Sequence, residues 1–374
     1  MKKQLLLIMA FMTVFVVKAQ EISEVKLKTK DYNLKKAKKQ NKIFINSFNV
    51  YFEIYKEVAD SKQGYEGTRG KVTGSAKVRL GVGLKGVDIN AVQAKTDLLY
   101  QETITKIKEK GFELVGIEEA KQIEFFEGYL MGTGPVMIEQ DNLPGVIQSV
   151  PSGYSFMYKD PKKTELGKAV KKLTSKFNFS GLSAKQNISK DLGDVMVMDI
   201  NMYVMFTEQP KGGFKLPSSL DKVAKVKIVT NLRLIDNYTV VKSADKEKMG
   251  LLGSLGSKGA AVATGVTSSV DIIYGKNKIG GSPLASYNGG LKDPVEILGI
   301  MKKDKISAYQ KQQTIAPTLN NPAYQKVGGI TLATIENRFS KNASWIDVDG
   351  EKYSQGLYNA CHAFLEHNLQ EIFD

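Results

Sequence analysis

The sequence predicts an α/β fold of mixed α+β character: a mixed sheet flanked by helices and broken by irregular insertions. Three segments carry that expectation. Between 88 and 110, Ile89, Val92, Thr96, Leu99, Ile104 and Ile107 recur near helical spacing, and residues 112–115 follow at once as a strand. From 195 to 206 the chain is almost continuously apolar, interrupted by Asp199 and Asn201, as suits a mostly buried strand. Between 225 and 234, Val226, Ile228, Leu232 and Leu234 alternate with Lys225, Lys227, Asn231 and Arg233, the pattern of a half-exposed antiparallel strand.

Taken in order, residues 1–19 read as an export signal. Lys2 and Lys3 open it, an apolar run follows from Leu5 to Val17, and Val17 and Ala19 suit the −3 and −1 positions before Gln20. A run of about thirteen apolar residues is too short for a bilayer core, and no later stretch reaches the roughly 18 needed for a transmembrane helix. An exported protein is therefore expected, periplasmic, associated with the outer membrane or secreted. Without Lys2, Lys3 and Lys18 the formal charge falls from +14 to +11, which favours anionic surfaces or acidic polymers and does not by itself call for nucleic acid. Cys361 is the single cysteine, so no disulfide can form within the chain.

Residues 20–42 read as a basic flexible arm. Eight lysines and one acid, Asp31, lie between 26 and 42, either as a solvated tail or as an electrostatic tether. A single large α/β domain, 43–374, is expected beyond it, with glycine-rich insertions at about 60–87 and 250–290. It begins with a strand at 43–48. The insertion that follows holds a short strand at 77–82. Asp88 caps the helix over 88–110 and Gly111 ends it. A shorter helix is expected at 118–129, and loops or short strands at 143–163, where Pro144, Pro151 and Pro161 fall. A basic helix spans 164–177. After the strand at 195–206, residues 208–217 supply turn chemistry. A further strand is expected at 266–274, and 280–328 reads as loop-rich with one short helix near 295–309. A closing amphipathic helix places Leu357, Cys361, Phe364, Leu365, Asn368 and Ile372 on one face.

No candidate chemistry survives its context. Gly81-Val82-Gly83-Leu84-Lys85-Gly86 matches the dinucleotide fingerprint literally. The helix behind it opens with Asp88, which would repel a phosphate, and Glu118 and Glu119 lie well beyond the usual distance of about twenty residues for a ribose ligand. His362 and His367 are five residues apart on one helix, roughly 140° around it, so they cannot chelate one ion together. His362 reads as a boundary residue, His367 as exposed. Cys361 falls on the buried face, where an inert thiol is the default. Ser243-Ala244-Asp245-Lys246 matches a lactamase-type pattern too short to mean much. Asp347 and Asp349 read as turn residues before Gly350. No catalytic, cofactor or metal residues are assigned.

Three segments stand out when taken in order. The first is the strand at 43–48, a long connection, the helix at 88–110 and then Gly111-Phe112-Glu113-Leu114-Val115 with Glu118 and Glu119 following. The second is Lys190-Asp191-Leu192-Gly193-Asp194 leading into the apolar strand from Val195. The third is Thr230-Asn231-Leu232-Arg233-Leu234-Ile235-Asp236. With the closing helix after Tyr353 in the same order, these segments resemble the CsgG-type family of the curli secretion channel and its envelope relatives, in which a strand reads Leu-Arg-Leu-Ile-Asp. The chain lacks the lipid-attachment cysteine of the family's channel proteins, and neither 208–221 nor 250–269 offers a clear membrane-spanning series of about 9–11 alternating residues.

The resemblance implies a non-enzymatic exported scaffold in envelope assembly or transport, working through contacts with other envelope proteins or by self-association. Residues 88–110 and the 64–86 connection are then the places to look for subunit contacts. The alternative is a soluble periplasmic module for an anionic ligand or surface. It would use Lys35, Lys36, Lys38 and Lys39 of the arm and Lys171 and Lys172 of the basic helix. No cofactor and no nucleic-acid partner is expected.

Overall fold

The computed structural model describes residues 21–62, 65–66, 72–73, 76–140, 143–159, 182–208, 223–243, 261–277, 281–311 and 343–374. The first strand, β1 (Leu27–Tyr32), lies within the lysine-rich segment and is followed by the one-turn helix α1 (Leu34–Ala37). The long central strand β2 (Lys42–Glu53) runs on through Ile54 into β3 (Tyr55–Lys62). Two short strands, β4 (Tyr65–Glu66) and β5 (Val72–Thr73), precede β6 (Ala76–Lys85), which pairs antiparallel with β3.

Helix α2 (Ile89–Glu109) begins as the sequence predicts. Asp88 Oδ1 accepts from the backbone N–H of Asn90 at 2.9 Å and of Ala91 at 3.2 Å. Its buried face runs Val92, Thr96, Leu99, Thr103 and Ile107, whereas Ile89 is exposed and Ile104 only half-buried. The two threonines reach the core because each hydroxyl donates to the carbonyl four residues back, at 3.0 Å for Thr96 and 2.7 Å for Thr103. Gly111 leaves the helix at φ +84° and β7 (Glu113–Leu114) pairs parallel with the start of β2.

Beyond β7, the expected helix at 118–129 is instead a single turn, α3 (Ile117–Ala120), and a 3-10 turn, Glu124–Phe126. Tyr129 already belongs to a strand, because Ala120, Phe126 and Val115 can pack beneath the sheet only if the chain breaks between them. Strands β8 (Tyr129–Thr133), β9 (Val136–Gln140), β10 (Leu143–Val150) and β11 (Ser155–Lys159) follow, and β8 pairs with β11. Helix α4 (Leu182–Asp191), which sequence periodicity did not single out, leads through Gly193 and Asp194, both at positive φ, into β12 (Met196–Glu208). The remaining strands are β13 (Val223–Leu234), β14 (Tyr238–Ser243), β15 (Ala261–Val266), β16 (Ser269–Tyr274), β17 (Ala285–Leu291), β18 (Val295–Glu296), β19 (Asp304–Lys311) and β20 (Ala343–Asp347). Helix α5 (Gly350–Phe373) closes the chain, capped by Asp349.

The fold is the mixed α/β arrangement that the pattern predicts. An 11-stranded sheet runs β1-β17-β16-β12-β2-β10-β9, with β13, β18, β19 and β7 attached off that path. β2 and β12 are parallel at its centre, and β10 and β16 flank them antiparallel. One face carries Phe48, Val50 and Phe52 of β2 and Met198, Ile200 and Met202 of β12 against Leu99 of α2 and Phe364 of α5, all within one core cluster. Every residue of the closing helix's expected apolar face, from Leu357 to Ile372, is buried. Tyr353 belongs to the same core, and its buried hydroxyl meets no partner among the described residues. An unmade buried hydrogen bond costs roughly 1–3 kcal/mol. Tyr353→Phe is therefore expected to raise the equilibrium unfolding free energy by about 1 kcal/mol; a fall in denaturant titration would mean the hydroxyl has a partner.

Three expectations are corrected. The basic arm is ordered between 27 and 37: β1 pairs antiparallel with β17 from Leu27↔Leu291 to Tyr32↔Ser286, and Leu34 and Ala37 are buried. Lysines on an exposed edge strand keep it soluble without preventing backbone pairing on its other side. The glycine-rich insertions hold more sheet than the strands expected at 77–82 and 266–274, which are present: β6 extends over 76–85, and β15 and β17 precede and follow β16. Gly81 and Gly83 sit inside β6 because aromatic rings cross it: a Cβ on Gly83 would lie 2.3 Å from Trp345, and one on Gly81 2.4 Å from the Tyr55 hydroxyl oxygen. The short helix expected near 295–309 is strands β18 and β19, whose inward Ile306 and Ala308 alternate with exposed Lys305, Ser307 and Tyr309.

Candidate functional site

Strand alternation sends Asp199, Asn201, Tyr203, Met205 and Thr207 of β12 to the sheet face opposite α2 and α5. Apolar clusters close both ends of that face. Phe44, Phe126, Ile188 and Val197 pack at one end, and Tyr51, Met205, Ile235 and Tyr238 at the other. Between them the strands place polar side chains side by side, and these bond to one another in two ladders.

The first ladder is made of amides. Gln140 of β9 donates to Gln148 of β10, Gln148 Nε2 to Asn49 Oδ1 of β2 at 2.8 Å, and Asn49 Nδ2 to Asn201 Oδ1 of β12 at 2.9 Å. The second is ionic. Asn46 Nδ2 of β2 donates to Asp199 Oδ1 at 2.8 Å, and Lys185 of α4 reaches Asp199 Oδ2 at 2.8 Å and Asp271 Oδ2 of β16 at 3.7 Å. Ser269 and Asn288 of β17 complete the partners of Asp271. A register shift between Met198 and Asp199 is what brings Asn46 and Asp199 together. The Lys185 and Asp199 side chains are only 8 % and 2 % exposed, so the pair is a buried one. Burial pulls the Lys185 pKa down, but Asp199 and Asp271 outweigh it and hold it above its ordinary value.

A second polar node lies where the sheet gives way to its outlying ribbons. Glu53, at the end of β2, accepts from the Thr207 backbone N–H at 2.9 Å and from Thr207 Oγ1 at 2.7 Å. Thr207 Oγ1 is also 3.0 Å from the Tyr238 hydroxyl, and Lys56 Nζ of β3 sits 4.9 Å above the Tyr238 ring. Arg233 of β13 donates to the carbonyls of Asn231 and Thr207. Burial raises the Glu53 pKa, against the opposing pull of Lys56, Thr207 and Arg233. A carboxyl whose folded pKa lies above its unfolded value of about 4.3 lowers stability as pH rises through that interval. Glu53→Gln is thus expected to flatten the slope of stability on pH above about 4.3. At neutral pH it should match the wild type within about 1 kcal/mol; a much larger loss would show that Lys56 and Arg233 outweigh burial.

The residues singled out from sequence do not converge on these ladders. Lys35, Lys36 and Lys39 are exposed and Lys38 half-buried around α1, while Lys171 and Lys172 lie outside the described residues, as does the basic helix at 164–177. His362 is half-buried with Nε2 3.8 Å from Glu102, and His367 Nδ1 lies 2.7 Å from the Ala363 carbonyl oxygen. Cys361 is fully buried, and burial pushes its thiol pKa strongly up. Asp349 caps α5. No group of three or more His, Cys, Asp or Glu among the described residues could hold a metal ion. What sequence reasoning missed is the pairing: Asp199 and Asn201 stood out as interruptions of an apolar run, but their partners are up to 153 residues away. No protein-family profile, no curated protein and no solved structure matches the chain.

Proposed function

We propose that this is a non-enzymatic exported envelope protein on a CsgG-like scaffold, serving envelope assembly or transport through protein–protein contacts. One observation carries the proposal: two strand ribbons leave the sheet beside a common buried node. β2 continues through Ile54 into β3, the edge of a separate three-stranded sheet ordered β20-β6-β3. β13 and β16 are joined, through 235–237 and 267–268, to the separate β14–β15 ribbon. Glu53, Lys56, Thr207, Arg233 and Tyr238 tie both roots together. A sheet braced by a polar seam, with β3 and β6 packed into the main core and β14–β15 forming a separate ribbon, suits a scaffold that displays contact surfaces. The sequence resemblance points the same way.

Light scattering on the chain from Gln20 onward, with and without lipid vesicles, tests this. A discrete oligomer supports the scaffold. A monomer that ignores vesicles sinks it and favours the second reading, a soluble binding module for an anionic ligand, for which the exposed Lys35, Lys36 and Lys39 are the motivating observation.

A further inference from the structure

Strand β8 pairs antiparallel with β11, from Tyr129↔Lys159 to Thr133↔Ser155, and the two form a two-stranded sheet of their own. Such a pair is marginal unless it gains packing or a further strand. β11 has packing, since Phe156 and Met157 are buried in two different core clusters. β8 has less: Leu130 and Met131 are 43 % and 44 % exposed, one on each face of the ribbon. Edge strands are commonly blunted by charges or proline. β1 carries Lys28, Lys30 and Asp31, β3 carries Lys56 and Glu57, and β19 carries Asp304 and Lys305. β8 reads Tyr-Leu-Met-Gly-Thr and has neither device.

The phase of the ribbon's hydrogen bonds fixes which backbone groups of β8 point outward. Just past the strand, the Gly134 N–H donates to the Tyr154 carbonyl at 2.9 Å, and these residues continue the β8–β11 register. Bonded and non-bonded pairs alternate along an antiparallel ladder. Leu130 and Gly132 therefore turn their backbone groups to β11, and Met131 turns its N–H and C=O to the open edge. Met131 is also the middle residue of the strand.

A second β8 laid antiparallel about a two-fold axis at Met131 meets matching groups. The two Met131 residues exchange both backbone bonds, and each Leu130 stands opposite Gly132 of the copy. The Phe156 ring crosses that glycine, where a Cβ would lie 2.7 Å from it, so the copy's Leu130 meets an aromatic surface. No like charges are opposed, because Glu127, the nearest in sequence, falls opposite Pro135 in this register.

We propose that β8 is a self-association edge, pairing antiparallel with β8 of a second copy about a two-fold axis through Met131. The product is a four-stranded sheet ordered β11-β8-β8-β11. This rests on the scaffold reading, in which copies associate, and names the strand that joins them. A second copy fits better than a foreign strand because β8 itself supplies both halves of the match. The strand is short, so the contact belongs to the small, transient class of interfaces.

Sedimentation velocity of the chain from Gln20 onward, over about 5–500 µM, measures the pairing. Met131→Lys and Met131→Glu each set like charges directly across the axis, and each is expected to weaken association about tenfold or more. An equimolar mixture of the two variants sets opposite charges across the axis and should recover association to within about threefold of wild type. Met131 is exposed, and far-UV circular dichroism checks that both variants fold. Variants that associate as the wild type does would overturn the β8 pairing and leave the scaffold reading standing. A wild-type monomer at every concentration would overturn both. Loss in each variant without recovery in the mixture would overturn the two-fold pairing and point to a strand from another protein.

Discussion

Lys185→Ala is expected to cost about 3–5 kcal/mol of unfolding free energy, because it strands the Asp199 carboxylate in the sheet without its counter-charge. Asp199 is 1 % exposed and, among the described residues, keeps Asn46 as its neutral side-chain donor once Lys185 is gone. Lys185→Ala combined with Asp199→Asn should recover much of that loss, since an amide needs no cation. The sign of the pH dependence follows from the raised Lys185 pKa. A cation with a folded pKa above the unfolded value of about 10.4 contributes fully below that pH and loses its contribution as pH climbs through the folded pKa. The contribution of the Lys185 charge is thus flat across neutral pH and declines in strong alkali. Urea titrations at several pH values measure both. A single-variant loss below about 1 kcal/mol would mean that the pair adds no more than a surface bridge.

Phe364→Ala is the second large effect, also about 3–5 kcal/mol, from lost transfer energy plus the cavity left between α5 and the sheet. Phe364 is 0 % exposed within the main core. His362, two residues earlier on the helix rim, makes a control: His362→Ala should stay within about 0.5 kcal/mol. If the two variants unfold alike, α5 does not close the core as described.

Legibility in the sequence followed the reach of each interaction. The helix at 89–109 and its Asp88 cap could be read because capping and the 3.6-residue period act within a few neighbours. The buried face of the closing helix could be read for the same reason, whereas Asp349, read as a turn residue, is its cap. The 295–309 region misled because Val295, Ile297 and Ile300 are apolar, yet the backbone there is committed to pairing with β13, more than sixty residues earlier. Glycine was misread for a related reason. Gly81 and Gly83 look like loop residues until Tyr55 and Trp345 are laid across them. The lysine-rich segment likewise carried no apolar face to betray β1, whose order comes from backbone pairing with β17.

By itself, then, the sequence determined the mixed α/β class, the two long helices with their buried faces and the Asp88 cap of the first, and the central strands, since burial patterns and that cap are written in adjacent residues. The tertiary structure alone decided the strand order and the two polar ladders. Each of these depends on which distant strand lies alongside. Hydrogen bonds and ion pairs such as Asn46–Asp199 and Lys185–Asp199 come into being only when the register of β2 on β12, and the docking of α4, bring their atoms within about 3 Å.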